Sequence, residues 1–132
     1  MAFERFTKTG RSFVPKVSIW SRGQIGFSVG AVNRFKLEEY DYVVFMFDQD
    51  EKKIGFLFTT DENEEGAVKL NKRDTGVIVG AKSFLDYYDI DYSGTAQYTM
   101  RHDRENNLYV ISLDENEKTE EKEDDTETGI GN

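Results

Sequence analysis

The chain of 132 residues contains no cysteine and a single histidine, His102. Without cysteine there is no disulfide framework, no thiol nucleophile and no Cys-ligated zinc or iron–sulfur cluster. One imidazole excludes any site that needs two. No apolar run approaches the roughly 20 residues that span a bilayer, so no membrane partner is expected. The start, Met1 to Phe6, lacks the apolar core of a signal peptide. These absences lead to the expectation of a soluble, cytoplasmic protein. There is no Gly-Lys-Ser/Thr, so Gly23, Gly26 and Gly30 form neither a P-loop nor a dinucleotide fingerprint. His102, beside Asp103 in an expected turn, has no Ser or Cys partner, and the many carboxylates point to no particular acid–base pair. Asp86, Asp89 and Asp91, interleaved with Tyr87, Tyr88 and Tyr92, miss the spacing of an EF-hand loop and read as a solvated acidic helix end. The sequence therefore carries no enzyme signature, and no cofactor or metal is expected.

What is present is aromatic mass and unevenly placed charge. Ten Phe and seven Tyr supply a core for one compact domain. The net charge of -9 seems to argue against nucleic acid, but it is an average over three zones. Residues 1–36 hold seven basic residues (Arg5, Lys8, Arg11, Lys16, Arg22, Arg34, Lys36) against one acid, Glu4. Residues 37–113 hold eight basic and sixteen acidic residues. Residues 114–132 hold nine acids and only two lysines. Ile130 is the one large apolar residue of this last zone. Ordering it would cost backbone entropy with little burial in return, so it reads as a disordered acidic tail. That tail is either solubilising or regulatory, competing with nucleic acid for a basic surface or binding a basic protein partner. Residues 1–14 read as a basic arm that orders on binding.

Between arm and tail, residues 15–113 read as a single mainly β domain. Lys16 to Trp20, the turn Ser21-Arg22-Gly23, and Gln24 to Ser28 form a hairpin in which Val17 and Ile19 face Ile25 and Phe27. Val29, Val32 and Phe35 fit a short helix with Ser28 as N-cap. Asp41 to Phe47 is a strand apolar on both faces, and Ile54, Phe56 and Phe58 alternate on the next. After the polar connector 60–66 the order recurs. Val68 to Leu70 and Gly76 to Val79 are strands, Ala81 to Tyr88 a helix, and Thr95 to Met100 and Leu108 to Leu113 strands again. An offset of 53 residues aligns Gly23 with Gly76, Ile25 with Ile78, Val32 with Leu85, Phe35 with Tyr88 and Phe45 with Tyr98. Beyond the turn the offset becomes 54, aligning Ile54 with Leu108 and Phe56 with Val110. We read this as an internal duplication of two ββαββ halves, 15–60 and 68–113, forming a small pseudo-symmetric β-barrel with short helices.

Gly23-Gln24-Ile25-Gly26-Phe27-Ser28, the helix, Leu37, Asp41, Val43 to Phe47, Asp48 and Ile54 together resemble the AbrB/MazE swapped-hairpin family. The second half follows the same pattern more weakly from Gly76 to Leu113. The resemblance implies an interlocked barrel of two ββαββ units, normally a homodimer, that binds DNA in regulators and in antitoxins with acidic tails. The chain departs from the family at Gln24, where a basic residue is common, and at Ser28, where proline is common. Asn33-Arg34 replaces a basic pair, and the second half carries Asp86 and no Arg on the matching surface.

The residues expected to contact DNA are Lys8, Arg11, Lys16, Arg22 and Arg34, whose cations would neutralise phosphates. Gln24 and Asn33 are the candidate base readers. Trp20, between Lys16 and Arg22, is placed for base stacking, as in single-stranded nucleic-acid-binding accessory proteins. Two alternatives stand beside these. The basic zone could instead pair internally with the acidic middle zone, and Trp20 could be core. A protein-interaction or structural module without nucleic-acid affinity, alone or as a homo-oligomer, then follows.

Overall fold

Alternating apolar residues lock each strand's faces, and the computed structural model, which describes Phe3, residues 14–115 and Glu117–Lys118, follows that alternation. In chain order the elements are β1 (Lys16–Ile19), β2 (Gln24–Ser28), α1 (Val29–Phe35), β3 (Tyr42–Asp48), β4 (Lys53–Thr59), β5 (Val68–Lys69), β6 (Asn71–Arg73), β7 (Gly76–Gly80), α2 (Lys82–Tyr87), β8 (Ala96–Thr99), β9 (Arg101–Asp103), β10 (Leu108–Ser112) and β11 (Glu117–Lys118). Short 3-10 turns occupy Leu37–Glu39 and Leu113–Glu115. The expected hairpin is present, with Val17 opposite Phe27 and Ile19 opposite Ile25. Ser28 is the N-cap of α1: its hydroxyl accepts from the Ala31 N–H at 3.1 Å and from the Lys16 N–H at 3.0 Å, and donates to the Val14 carbonyl at 3.1 Å. One side chain thus closes the helix and anchors the start of β1.

The strands form two antiparallel sheets. One has the order β11-β8-β1-β2-β7-β6 and the other β5-β3-β4-β10-β9. This corrects the expected closed barrel. The runs 68–73 and 96–103 each change sheet, with their ladders interrupted at a single residue, Leu70 and Met100. Both side chains belong to the core, at 3% and 1% exposure. Their N–H groups go to carbonyls just ahead of other strands, Leu70 to Asp41 at 2.9 Å and Met100 to Pro15 at 3.0 Å. These bonds extend the β5–β3 and β8–β1 ladders by one residue before each run passes to the other sheet.

Phe27 of the first sheet meets Phe56 and Phe58 of the second edge-on, at 5.1 and 5.3 Å between ring centroids. The helices add aromatic cover over the second sheet's inner face. Phe35, the last residue of α1, packs on Tyr109 at 4.6 Å, and Phe84 of α2 stacks on Phe45 at 5.0 Å. Two boundaries differ from expectation. His102 sits in β9 with its ring 4.8 Å from that of Tyr109, rather than in a turn. The folded body also runs past residue 113, because β11 pairs with β8 through Glu117–Gln97 and Lys118–Ala96. The remainder of the acidic tail, and the basic arm apart from Phe3 and Val14, lie outside the described residues.

β2 and β7 approach so closely that Gly76, at φ +137, leaves room for no side chain: a Cβ there would lie 2.2 Å from the Phe27 carbonyl oxygen. Gly80, at the other end of β7, has nothing within 4 Å of the same position. Gly76→Ala is therefore expected to destabilise the fold by about 2–4 kcal/mol, and Gly80→Ala by less than about 0.5 kcal/mol. Urea unfolding midpoints at unchanged slope measure both; equal midpoints for the two variants would contradict this packing.

Candidate nucleic-acid interface

In the first sheet Val17, Ile19, Ile25, Phe27, Val77, Val79, Ala96 and Tyr98 are buried in the core. Side chains alternate across a strand, so their neighbours form the outer face. Register places these neighbours in rows. One row joins Asn71, Ile78, Gly26, Ser18 and Gln97. The next joins Arg73, Gly76, Ser28, Lys16 and Thr99, with the Lys16 amide bonded to the Ser28 hydroxyl. Gln24 and Gly80 pair at the turn end, where the Trp20 N–H donates to the Gln24 carbonyl at 2.9 Å. From β6 to β8 the face is roughly 19 Å wide at the usual strand spacing. None of β6, β7, β2, β1 or β8 contains an Asp or Glu; β11, at the edge, contributes Glu117.

Trp20 is half-buried, and its indole lies over Gly26: a Cβ on Gly26 would come within 2.2 Å of Trp20 Cη2. The tryptophan is neither a core residue nor a free-standing platform. It lies against the sheet's outer surface because glycine leaves space beneath it. Lys16 Nζ is 3.3 Å from Thr99 Oγ1. The structure thus brings Lys16, Trp20 and Gln24 onto one face, with exposed Arg22 in the adjoining turn. Asn33 and Arg34 are exposed on α1, at the opposite end of β2 from that turn, and the Arg34 guanidinium is 5.8 Å from the Phe35 ring centroid. Lys8 and Arg11 lie outside the described residues.

Sequence reasoning missed Asn71, Arg73, Ile78 and Gln97. The 53-residue offset carries Ser18 onto Asn71 and Trp20 onto Arg73, which is the signal that would have found two of them.

The ion pairs bear on internal neutralisation at two cations of the basic zone, Arg22 and Arg34. They join Lys53 to Glu51, Lys72 to Asp41, Lys82 to Asp86 and Arg101 to Glu115, at 3.5, 3.3, 3.1 and 3.9 Å. Among the described residues none involves Arg22 or Arg34. Nor do any three of His, Asp and Glu come together there to hold a metal ion.

Three surface clefts differ in charge. One, of about 390 Å³, is lined by Asp89 and Asp91 with Lys52. Another, of about 400 Å³ against the outer face of the second sheet, is lined by Asp48, Glu51, Asp103 and Glu105 with Lys53. The third, of about 510 Å³, opens between the β1–β2 turn and the start of α2, and contains Arg22, Gln24, Lys82 and Ser83 with no acid.

No family model, curated protein or solved structure matches the chain.

Asp86, expected on a solvated helix end, is spent on α2's own neighbourhood. The Tyr92 hydroxyl donates to it at 2.7 Å and Lys82 Nζ at 3.1 Å, while Lys82 also donates to the Tyr92 oxygen at 3.0 Å. The Tyr92 hydrogen bond, then the lysine, hold the Asp86 carboxyl below its ordinary range; the same Tyr92 contact, then Asp86, raise Lys82. A depressed carboxyl supports the folded state above its unfolded pKa and loses that support as pH falls through the folded one. In a side-chain carbon NMR titration, Asp86 should titrate below unpaired aspartates, and Tyr92→Phe should move its midpoint upward. An Asp86 midpoint indifferent to that substitution would contradict the hydrogen bond.

Proposed function

We propose that the chain is a non-enzymatic, cytoplasmic nucleic-acid-binding module whose contact surface is the outer face of the six-stranded sheet. The observation that supports this most is the acid-free character of the five strands from β6 to β8 in a chain of net charge -9. Cations at Lys16 and Arg73 suit phosphates, amides at Gln24, Asn71 and Gln97 suit base edges, and the Trp20 indole offers a stacking surface. Arg22 and Arg34 extend the positive potential beyond the face. The acidic tail acts as a modulator: it departs from β11, on the edge of this same sheet, so its carboxylates compete for the cations nearby.

The duplication belongs with this reading. β2 pairs with its counterpart β7, and β4 with its counterpart β10, although the aligned residues do not keep their faces. Ile25 and Phe56 are core, while Ile78 and Val110 sit in the outward rows with Gly26 and Gly55. β1 of the first half pairs with β8 of the second, while β5 of the second half pairs with β3 of the first. This reciprocal exchange is what two fused ββαββ units require, and it supports the AbrB/MazE-like ancestry in flattened, two-sheet form.

The second sheet's outer face favours a different partner class. Met46 is 39% exposed there, and the cleft containing it is lined by Gly55, Leu108 and Val110 and rimmed by acids. That face suits a protein partner with apolar and basic side chains.

Fluorescence anisotropy of labelled single- and double-stranded DNA at low and moderate salt tests the reading. The full chain should bind at low salt and weaken as salt rises. Lys16→Glu with Arg73→Glu should lower affinity at least tenfold and flatten the log–log salt slope by about 0.7 per lost contact to a single strand. Replacing the tail acids Glu120, Glu121, Glu123, Asp124, Asp125 and Glu127 with amides should tighten binding. No binding of either DNA at low salt leaves only the protein-interaction reading.

A further inference from the structure

We propose that the acid-free cleft beside the β1–β2 turn is a nucleotide site, which takes one unstacked base and its phosphate from a single strand crossing the sheet face. This rests on the nucleic-acid reading and names its substrate class as single-stranded.

The cleft has two chemically distinct parts. Its apolar part is made by Phe45, Phe84 and Val68, the two rings stacked 5.0 Å apart at 28°. Its polar rim is Arg22, Gln24 and Ser83. A flat apolar ring joined to an anion matches both parts: the base meets the aromatic surface and the phosphate meets Arg22. Lys82 also lines the cleft, but its ammonium is committed to Asp86 and Tyr92. Arg22 is exposed, and among the described residues it makes no ion pair or hydrogen bond. Its guanidinium is therefore the group available to an incoming anion, and it presents a planar fork suited to phosphate.

Selectivity for an anion follows from comparison within the molecule. The other two described clefts carry two and four carboxylates among their lining residues, which would repel phosphate. This one has none on its wall, its nearest acids being Asp86, neutralised by Lys82, and the end of the connector before Gly66. Its volume of about 510 Å³ lies within the size range of small-molecule sites. Position supplies the link to the strand. Gln24 and Gly80 belong both to the cleft wall and to the turn end of the sheet face, next to Trp20. A strand that stacks a base on Trp20 reaches the cleft with its next units, whereas a duplex, with its bases paired, has no base to insert.

Four measurements on the full-length chain decide this: anisotropy with labelled ten-residue oligothymidylate, the same with a duplex, NMR shift mapping with free thymidine monophosphate, and thermal midpoints as a folding control. Arg22→Glu changes an exposed turn residue, and Ser83→Trp fills the cleft. Each should weaken oligothymidylate at least tenfold without moving the thermal midpoint, and the duplex should bind more weakly than the single strand. Thymidine monophosphate should shift the amides of Gly80 to Phe84. If the oligonucleotide binds and depends on Lys16 and Arg73 but not on Arg22 or Ser83, the cleft proposal is overturned and the sheet-face reading stands. If only the free nucleotide binds, at the same amides, the cleft is a nucleotide site for a small molecule and the sheet-face reading falls. Failure of both probes overturns both.

Discussion

The inward commitment of Phe27 governs the rest of this molecule. Its ring is wedged edge-on against Phe56 and Phe58 across the two sheets. Truncating a buried ring of this kind costs about 3–5 kcal/mol. Because side chains alternate along a strand, an inward Phe27 forces Gly26 and Ser28 outward. Antiparallel register then passes that parity sideways to Ser18, Ile78, Asn71 and Gln97. A slip of one residue would put the phenylalanine in water and the amides in the core. The composition of the outer face is thus a consequence of where the core places its largest rings.

That dependence explains what was legible in the sequence. The β1–β2 hairpin, the Ser28-capped helix, β3, β4, β7, α2, β8 and β10 all follow local alternation or helical spacing, which residues reveal without knowledge of their partners. The barrel expectation failed because the split into two sheets is a matter of which strands pair across long sequence separations, as at Leu70 and Met100, where the runs 68–73 and 96–103 pass from one sheet to the other. β6 was missed for a related reason: Asn71, Lys72 and Arg73 are all exposed and polar, so no apolar alternation announces an edge strand. Of the candidate site, Lys16, Trp20 and Gln24 were readable because they share one hairpin. Asn71, Arg73 and Gln97 join them only through pairing with β7 and β1, which no local pattern encodes.

The charge of the whole chain is a poor guide to the potential met by a ligand. Exposed charges farther apart than roughly 8–10 Å are screened at moderate salt, so a strand lying on the six-stranded sheet senses mainly the local surface. From β6 to β8 that surface holds no Asp or Glu, while acids gather on the 60–66 connector, the second sheet's cleft and the tail that begins around β11. The same segregation gives the molecule two unlike faces. In the proposed reading one meets a polyanion and the other an apolar and basic partner, so neither has to compromise the other.

Fusion of two similar halves adds a further freedom. A homodimer with a two-fold axis must build every surface feature twice, so a cation placed at one corner appears at both. Under the proposed duplication the two corners differ. Across the 53-residue offset Arg22 corresponds to Thr75, Lys82 to Val29 and Ser83 to Gly30. The rim side chains of the acid-free cleft therefore have no polar counterpart with the same chemistry at the other corner, although the strand pairing around both corners is reciprocal. In the proposed reading one corner holds a single unit of a strand while the other keeps its packing role. On that reading the strand meets an asymmetric surface, with the acid-free cleft at the turn end of β2 and no matching rim chemistry at the other corner. Such a surface would distinguish the strand's two directions, which a symmetric pair of sites cannot do.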